Sequence, residues 1–287
     1  MSGQRRMGRA NNQIIGVCRF SFLATGGFRA AQGGLEAQKV LLFDPERMRR
    51  RFAYFESLCL PSLAAQTDPD FILVLLVSDL LPQKAMNRLF ALRDAHPFLR
   101  ICVSEPMGPL QSSRRAFRRG LRQDTGFVTG FRIDDDDAVA VDYIARTRAL
   151  ADHMLNEGWA GDRHPVALAF SRGLYWHFTD DPEQAFYDVR DYVPLGQASA
   201  MISPVDARTN IFRFNHRHLP AYLRTWIDPE DIMFIRGVHE DNDSGRSVPR
   251  RGDALPLDRV KPALADRFGL DPDAVIAAMD AVHGRVS

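Results

Sequence analysis

Residues 71–77, Phe-Ile-Leu-Val-Leu-Leu-Val, form an unbroken apolar run that Asp70 opens and Ser78-Asp79 closes. A strand with one wet face alternates apolar and polar side chains. A run without a polar break therefore predicts a strand covered on both faces, as in a parallel sheet with helices on either side. The run is the longest aliphatic and aromatic stretch in the chain and is far shorter than the roughly 20 residues of a membrane helix.

The flanking pattern repeats the unit. Residues 13–22 predict a strand, followed by a loop with Gly26, Gly27, Gly33 and Gly34. Residues 46–60 predict a helix, with Phe52, Phe55 and Cys59 on one face. Pro61, which has no N–H to donate, is expected to end or kink it. Residues 82–95 read as a helix, 99–103 as a strand, 112–123 as a basic helix, 126–133 as a strand and 137–155 as a long helix. This alternation predicts an α/β fold with a mostly parallel, doubly wound sheet. Further on, residues 166–170 and 198–203 read as strands, 210–218 as extended and 232–239 as an apolar segment. Asp271, Pro272 and Gly284 bracket a closing helix. The expected organisation is a flexible terminus at 1–12, one domain over 13–250 and a C-terminal helical extension over 251–287.

Composition narrows the class. Lys and Arg total 37 against 36 Asp and Glu, giving a net charge of +1, and 45% of residues are hydrophobic. Such a chain is too apolar and balanced to be disordered, and it has no global field drawing it to nucleic acid. Cys18, Cys59 and Cys102 are widely spaced within apolar stretches and contain no CxxC. They read as buried free thiols in a reducing compartment. The Arg-bearing start leads into no signal-peptide h-region, so a cytoplasmic location is expected.

The chemistry concentrates in Phe131-Arg-Ile-Asp134-Asp135-Asp136-Asp137. Four carboxylates after a strand lie at a carboxyl edge of the sheet, where open α/β folds bind ligands. Neighbouring carboxylates repel unless positive charge stands between them. Mg²⁺ or Mn²⁺ supplies that charge and keeps positions for diphosphate oxygens. By the same logic, removing one carboxylate is expected to stabilise the metal-free protein. The alternative is that Asp137 caps the following helix while the others favour its positive end. His239, in Val238-His-Glu-Asp-Asn-Asp243, is a candidate further ligand, and an imidazole suits Mn²⁺. A calcium loop starting at Asp241 fails, because Gly252 stands where glutamate is required.

Other groupings carry both structural and functional readings. Arg114, Arg118 and Arg122 share a helix face, either solvated or clamping phosphate. His216 and His218 read as structural or as acceptor contacts. Trp159, Tyr175, Trp176 and His177 read as core or as a sugar platform. There is no GxSxG, Walker Gly-Lys-Ser/Thr or GxG, so serine hydrolase, P-loop NTPase and dinucleotide dehydrogenase lack support.

The motif at 132–137 resembles the Asp-rich motif of the putative rhamnosyltransferases, bacterial GT-A-like glycosyltransferases. Arg19-Phe-Ser21, Leu60-Pro-Ser-Leu63, Gln66-Thr-Asp68, Phe71 to Asp79 with Leu81-Pro82, Asn215-His216 and Val238-His239 follow in the family's order, over roughly residues 14–245. The family has a small residue beside the histidine where this chain has Glu240-Asp241. The resemblance implies a nucleotide-diphosphate sugar donor, a divalent ion on its phosphates and transfer to a hydroxyl of a glycan or polysaccharide-precursor acceptor. The implied sugar is L-rhamnose, transferred with inversion. It implies a metal set drawn from Asp134, Asp136, Asp137 and His239, and donor contacts from Arg19, Asp79, Arg132, Asp134 and Asp135. Inversion by one displacement needs a base. The positions between the two metal candidates offer Asp206, after a strand expected to end on the ligand side, and Asp231.

The expected function is a metal-dependent glycosyltransferase without nucleic-acid partners or a transmembrane segment, with peripheral membrane association left open. The alternatives are a phosphotransferase or phosphohydrolase using the same aspartates, and a nucleic-acid-binding protein using the arginine face.

Overall fold

The computed structural model describes residues 11–26, 33–161, 164–178, 185–194, 196–240, 242 and 252–284. Most of the expected terminus, and Gly27, Asp241 and Asp243, lie outside the described residues. The chain opens with β1 (Asn12–Arg19), α1 (Gly34–Leu42), α2 (Pro45–Tyr54), α3 (Leu60–Ala64), β2 (Phe71–Ser78), α4 (Gln83–Ala95) and β3 (Leu99–Ser104). Next come α5 (Pro109–Gly120), β4 (Phe127–Asp134), β5 (Asp137–Val139), α6 (Tyr143–Asn156), β6 (Val166–Phe170), β7 (Arg172–His177) and β8 (Phe186–Arg190). It closes with β9 (Ala200–Pro204), α7 (Leu219–Tyr222), β10 (Arg224–Asp228), β11 (Phe234–Val238), β12 (Gly252–Leu255), α8 (Leu257–Phe268) and α9 (Pro272–Val282).

The unbroken apolar run is β2, and all eight of its residues are buried. It lies inside a seven-stranded sheet ordered β10-β6-β9-β4-β1-β2-β3. β3, β2, β1 and β4 are mutually parallel, and only β9 runs against its neighbours. Side-chain alternation divides the core between the two faces. Ile14, Leu73, Leu75, Phe131 and Ile202 face the larger core, while Ile15, Val17, Val74, Leu76 and Met201 face the core under α5. The expected doubly wound α/β arrangement is thus present.

Three local expectations need correction. Pro61 does not end its helix. A π-helical turn over Phe55–Cys59 joins α2 to α3, the Leu60 N–H donates to the Phe55 carbonyl, and Pro61 falls in the first turn of α3. The wider turn accommodates a residue that cannot donate. Asp137 does not cap a long helix; it begins β5, and α6 starts only at Tyr143. Residues 210–218 form short 3₁₀ turns rather than extended chain, with Asn210 and Asn215 accepting from the backbone two residues on.

A second sheet, ordered β12-β8-β7-β11-β5, was not foreseen. Its strands are short, and several alternate with polar residues too briefly to reveal a period. The C-terminal segment also proves integral to the main body. Val260, Leu264, Phe268 and Met279 belong to the larger core, and Arg267 bonds the Ile232 carbonyl at 3.1 Å and pairs with Asp142 at 3.0 Å. Asp271 caps α9, accepting from the N–H groups of Asp273 and Ala274.

If the C-terminal helices hold the core together, Phe268→Ala should cost about 3–5 kcal/mol. Urea unfolding followed by far-UV circular dichroism measures this. A loss below about 0.5 kcal/mol, usual for a surface change, would contradict the packing.

Candidate active site

β1, β2 and β4 are parallel, so Arg19, Asp79 and Asp134 all come to the same carboxyl edge of the sheet, with Arg19 and Asp134 directly opposite in register. Alternation along β4 sends Arg132 and Asp134 to the side away from Phe131 and Ile133. Asp134 is 38% exposed, with Arg19 Nη2 at 3.5 Å and Arg132 Nη2 at 4.0 Å. Phe212 lies beneath both guanidiniums, at 5.4 Å from that of Arg19 and 5.6 Å from that of Arg132. Arg132 Nε is buried and has no hydrogen-bond partner among the described residues. Burial lowers this guanidinium's pKa, a pull that the charge of Asp134 opposes. Asp79 is exposed; its carboxylate accepts from the Ser78 hydroxyl at 3.3 Å.

The rest of the aspartate run turns to the opposite face and meets Arg51 of α2. Arg51 Nε donates to Asp135 Oδ2 at 2.8 Å, its Nη2 contacts Asp135 Oδ1, and its Nη1 donates to Asp136 Oδ2 at 3.1 Å. Asp136 Oδ2 also lies 2.8 Å from His239 Nε2 and accepts from Asn242 Nδ2 at 3.0 Å. The His239 N–H donates to Asn242 Oδ1 at 2.6 Å, which closes the loop after β11 on itself. The His239 ring packs against Tyr54 and Phe178, with centroids at 4.6 and 5.7 Å. Tyr54 in turn meets His283, just beyond α9, at 3.0 Å. Burial alone would raise the Asp136 carboxyl, but Arg51 and the His239 hydrogen bond outweigh it and hold it well below the usual range.

This alters two expectations. The positive charge between the carboxylates is supplied in part by a side chain, Arg51. Asp136 is therefore a stabilising partner, and removing it should weaken the fold rather than relieve crowding. Asp137 stands apart: it is buried in β5, and its Oδ1 accepts from the Gly237 N–H at 3.3 Å. Burial first, then the charges of Asp136 and Asp134, push its carboxyl well above the usual range. Its Oδ1 thus serves the β11 backbone, whereas Asp136 Oδ2 meets His239.

Both candidate bases are also displaced. β9 runs antiparallel to β4, pairing Pro204 with Phe127, so its carboxyl end lies at the opposite edge of the sheet. Asp206 follows that end, about 20 Å along β4 from Asp134. Asp231 precedes β11, at the end remote from His239, where it pairs with Arg146 at 2.5 Å. That hydrogen bond holds its carboxyl below the usual range, which disfavours proton uptake.

His216 does approach the site. Burial, followed by the charges of Arg132, Arg217 and Arg236, lowers its pKa to about 4, so its ring is neutral at pH 7. Trp176 stacks on Phe186 inside the core and Trp159 lies by His153 at the surface, so the four aromatic candidates form no common platform. Sequence reasoning missed Arg51 and Asn242. The signal for Arg51 was its position three residues after Met48 and four before Phe55, on an otherwise buried helix face. A cation there requires a buried counter-ion. Among the described residues, no three His, Cys, Asp or Glu side chains converge as a metal cage.

β11 passes so close to the Asp136 turn that a Cβ on Gly237 would stand 2.4 Å from the Asp136 carbonyl oxygen. Gly237→Ala should therefore cost about 1–3 kcal/mol, read from urea unfolding. An unchanged midpoint would contradict the close approach.

A search of curated proteins finds no match. Among solved structures, S. aureus TarS 1–349 with UDP-GlcNAc aligns at 10% identity and a TM-score of 0.43, covering 95% of this chain and 72% of that one. TarS 1–349 with UDP aligns at 13% and 0.42, covering 79% of this chain; the alignment spans 61% of the TarS chain. The 4-diphosphocytidyl-2C-methyl-D-erythritol synthase of Anaerococcus prevotii DSM 20548 aligns at 8% and 0.36, covering 96% and 98%. No described helix is long and apolar enough to cross a membrane. The family profile for the putative rhamnosyl transferases matches residues 13–251, most of the chain and all of the site, and the protein belongs to that family.

Proposed function

We propose that the chain transfers L-rhamnose, with inversion, from a nucleotide-diphosphate donor to a hydroxyl of a glycan or polysaccharide-precursor acceptor, at the carboxyl edge marked by Arg19 and Asp134. The observation that carries this reading is Arg132, whose buried Nε meets no acceptor among the described residues while Arg19 and Asp134 flank it. Buried donors are normally satisfied, and phosphate oxygens are the anion that an arginine pair serves best. Phe212, packed under both guanidiniums, holds their planes in place. In this reading Asp79 borders the nucleoside, and Asp135 supports the motif through Arg51. His216, neutral beside the arginines, accepts from a hydroxyl without competing for the diphosphate.

A divalent ion fits the donors in part. Asp136 Oδ2 and His239 Nε2 are 2.8 Å apart, close to the separation of adjacent ligands each about 2 Å from one ion. Arg51 shares that carboxylate, and Asp134 faces the cleft from the opposite side. Asp136 and His239 would hold Mn²⁺ or Mg²⁺ in place of the Arg51 and Asn242 contacts to that oxygen, while Asp134 stays on the cleft side with the arginines. The bound ion would neutralise charge on the departing diphosphate. Neither Asp206 nor Asp231 stands where it could take the acceptor proton, so the base for inversion must come from another residue or from the bound ligands.

Thermal shift and calorimetry with a nucleoside-diphosphate L-rhamnose and with UDP-GlcNAc, with and without Mn²⁺, test the reading. The rhamnose donor should stabilise the protein more. Arg132→Gln should weaken donor binding in both conditions. Asp136→Asn and His239→Ala should each reduce the Mn²⁺-dependent part roughly tenfold or more. Unchanged Mn²⁺ dependence in both folded variants would remove the metal role. Unchanged donor affinity in Arg132→Gln would remove the diphosphate assignment.

A further inference from the structure

α5 ends at Gly120, so Arg122 lies beyond the helix face on which it was expected and the arginine cluster divides. Arg122 pairs with Asp70 at 2.5 Å, Arg115 pairs with Glu105 at 2.8 Å, and Arg119 Nε donates to the Ile101 carbonyl at 3.4 Å. Arg114 and Arg118, one turn apart, take part in no ion pair among the described residues and line a cleft between α5 and the segment after β9. Its open volume, solvent included, is about 540 Å³. Phe117, Met201 and Ile211 supply an apolar floor.

Two further groups line the cleft. The Thr209 hydroxyl oxygen is buried and has no hydrogen-bond partner among the described residues. Asp206 contributes one carboxylate, and no ion pair joins it to either arginine. The cleft also includes Val128 and Gly130 near the start of β4. On the α5 side of the sheet, it therefore runs from roughly 13 Å to about 20 Å along the strand from Asp134.

We propose that this cleft binds a phosphate monoester joined to an apolar body, through Arg114, Arg118 and the Thr209 hydroxyl. A carboxylate offers two coplanar oxygens, which one guanidinium satisfies. Two guanidiniums and a hydroxyl together can serve the three terminal oxygens of a monoester. The apolar floor accommodates the group the phosphate carries, and burying that group adds affinity that inorganic phosphate cannot gain. A phospholipid in a bilayer and a soluble amphiphilic phosphate share this chemistry.

The test uses the full chain and dihexanoyl phosphatidic acid as monomer, titrated by calorimetry beside inorganic phosphate and dihexanoyl phosphatidylcholine. Phosphatidic acid should bind at least about tenfold more tightly than either comparison ligand. Arg114→Gln/Arg118→Gln should weaken it at least about tenfold, a difference of about 1.4 kcal/mol. Arg115→Gln/Arg119→Gln removes the same charge from the same helix and should leave it nearly unchanged. Co-sedimentation with phosphatidylcholine vesicles, with and without phosphatidic acid, distinguishes the sources. Sedimentation that needs both phosphatidic acid and the arginine pair assigns a lipid, whereas binding of the short-chain ligand alone assigns a soluble phosphate. Equal loss in the two double variants, or inorganic phosphate binding as tightly as phosphatidic acid, would overturn the proposal. So would tighter binding to a single-stranded oligonucleotide that collapses with salt.

Discussion

A guanidinium buried between two carboxylates makes the rest of the site possible. Arg51 holds Asp135 and Asp136 together, and its charge outweighs the burial that alone would raise the Asp136 carboxyl. Asp136 also receives His239 and Asn242, so a single oxygen ties α2, the turn after β4 and the loop after β11. These elements belong to different parts of the fold, and the contact joins the edge of the large sheet to the end of the smaller one. The aromatic packing of His239 on Tyr54 and Phe178 extends the same unit toward the C-terminal helix.

The arrangement separates adjacent residues into different roles. Asp134, the last residue of β4, points to the α5 side and meets Arg19 and Arg132 at the cleft. Asp135 and Asp136 belong to the buried ionic unit, and Asp137 belongs to the second sheet, buried in β5. Fixing the turn from behind therefore positions Asp134 in front. This is a means of presenting one carboxylate beside two arginines without letting it collapse into the core.

Much of the large sheet was legible because its strands are long and apolar on both faces. β2 contains no polar interruption, β4 lies within one residue of its expected limits and β1 within three. The smaller sheet was not legible, because β5 has three residues and β7 carries Arg172 and His177 at its ends. The aspartate run and His239 announced themselves by composition, and the structure does bring Asp136 and His239 together. Their partner Arg51 was concealed among neighbouring arginines at 47, 49 and 50. Asp206 was misplaced because strand direction is a property of pairing: nothing in residues 200–204 announces that β9 runs against β4.

The central claim is that Arg51 and Asp136 act as one energetic unit. A double-mutant cycle with Arg51→Met, Asp136→Asn and the combined variant, followed by urea unfolding, measures this directly. Each single change leaves a buried group without its partner, and should cost about 3–5 kcal/mol. The double variant should lose clearly less than the sum, giving a coupling of about 2 kcal/mol or more. Effects that add to within about 0.5 kcal/mol, as for residues without a shared contact, would contradict the account.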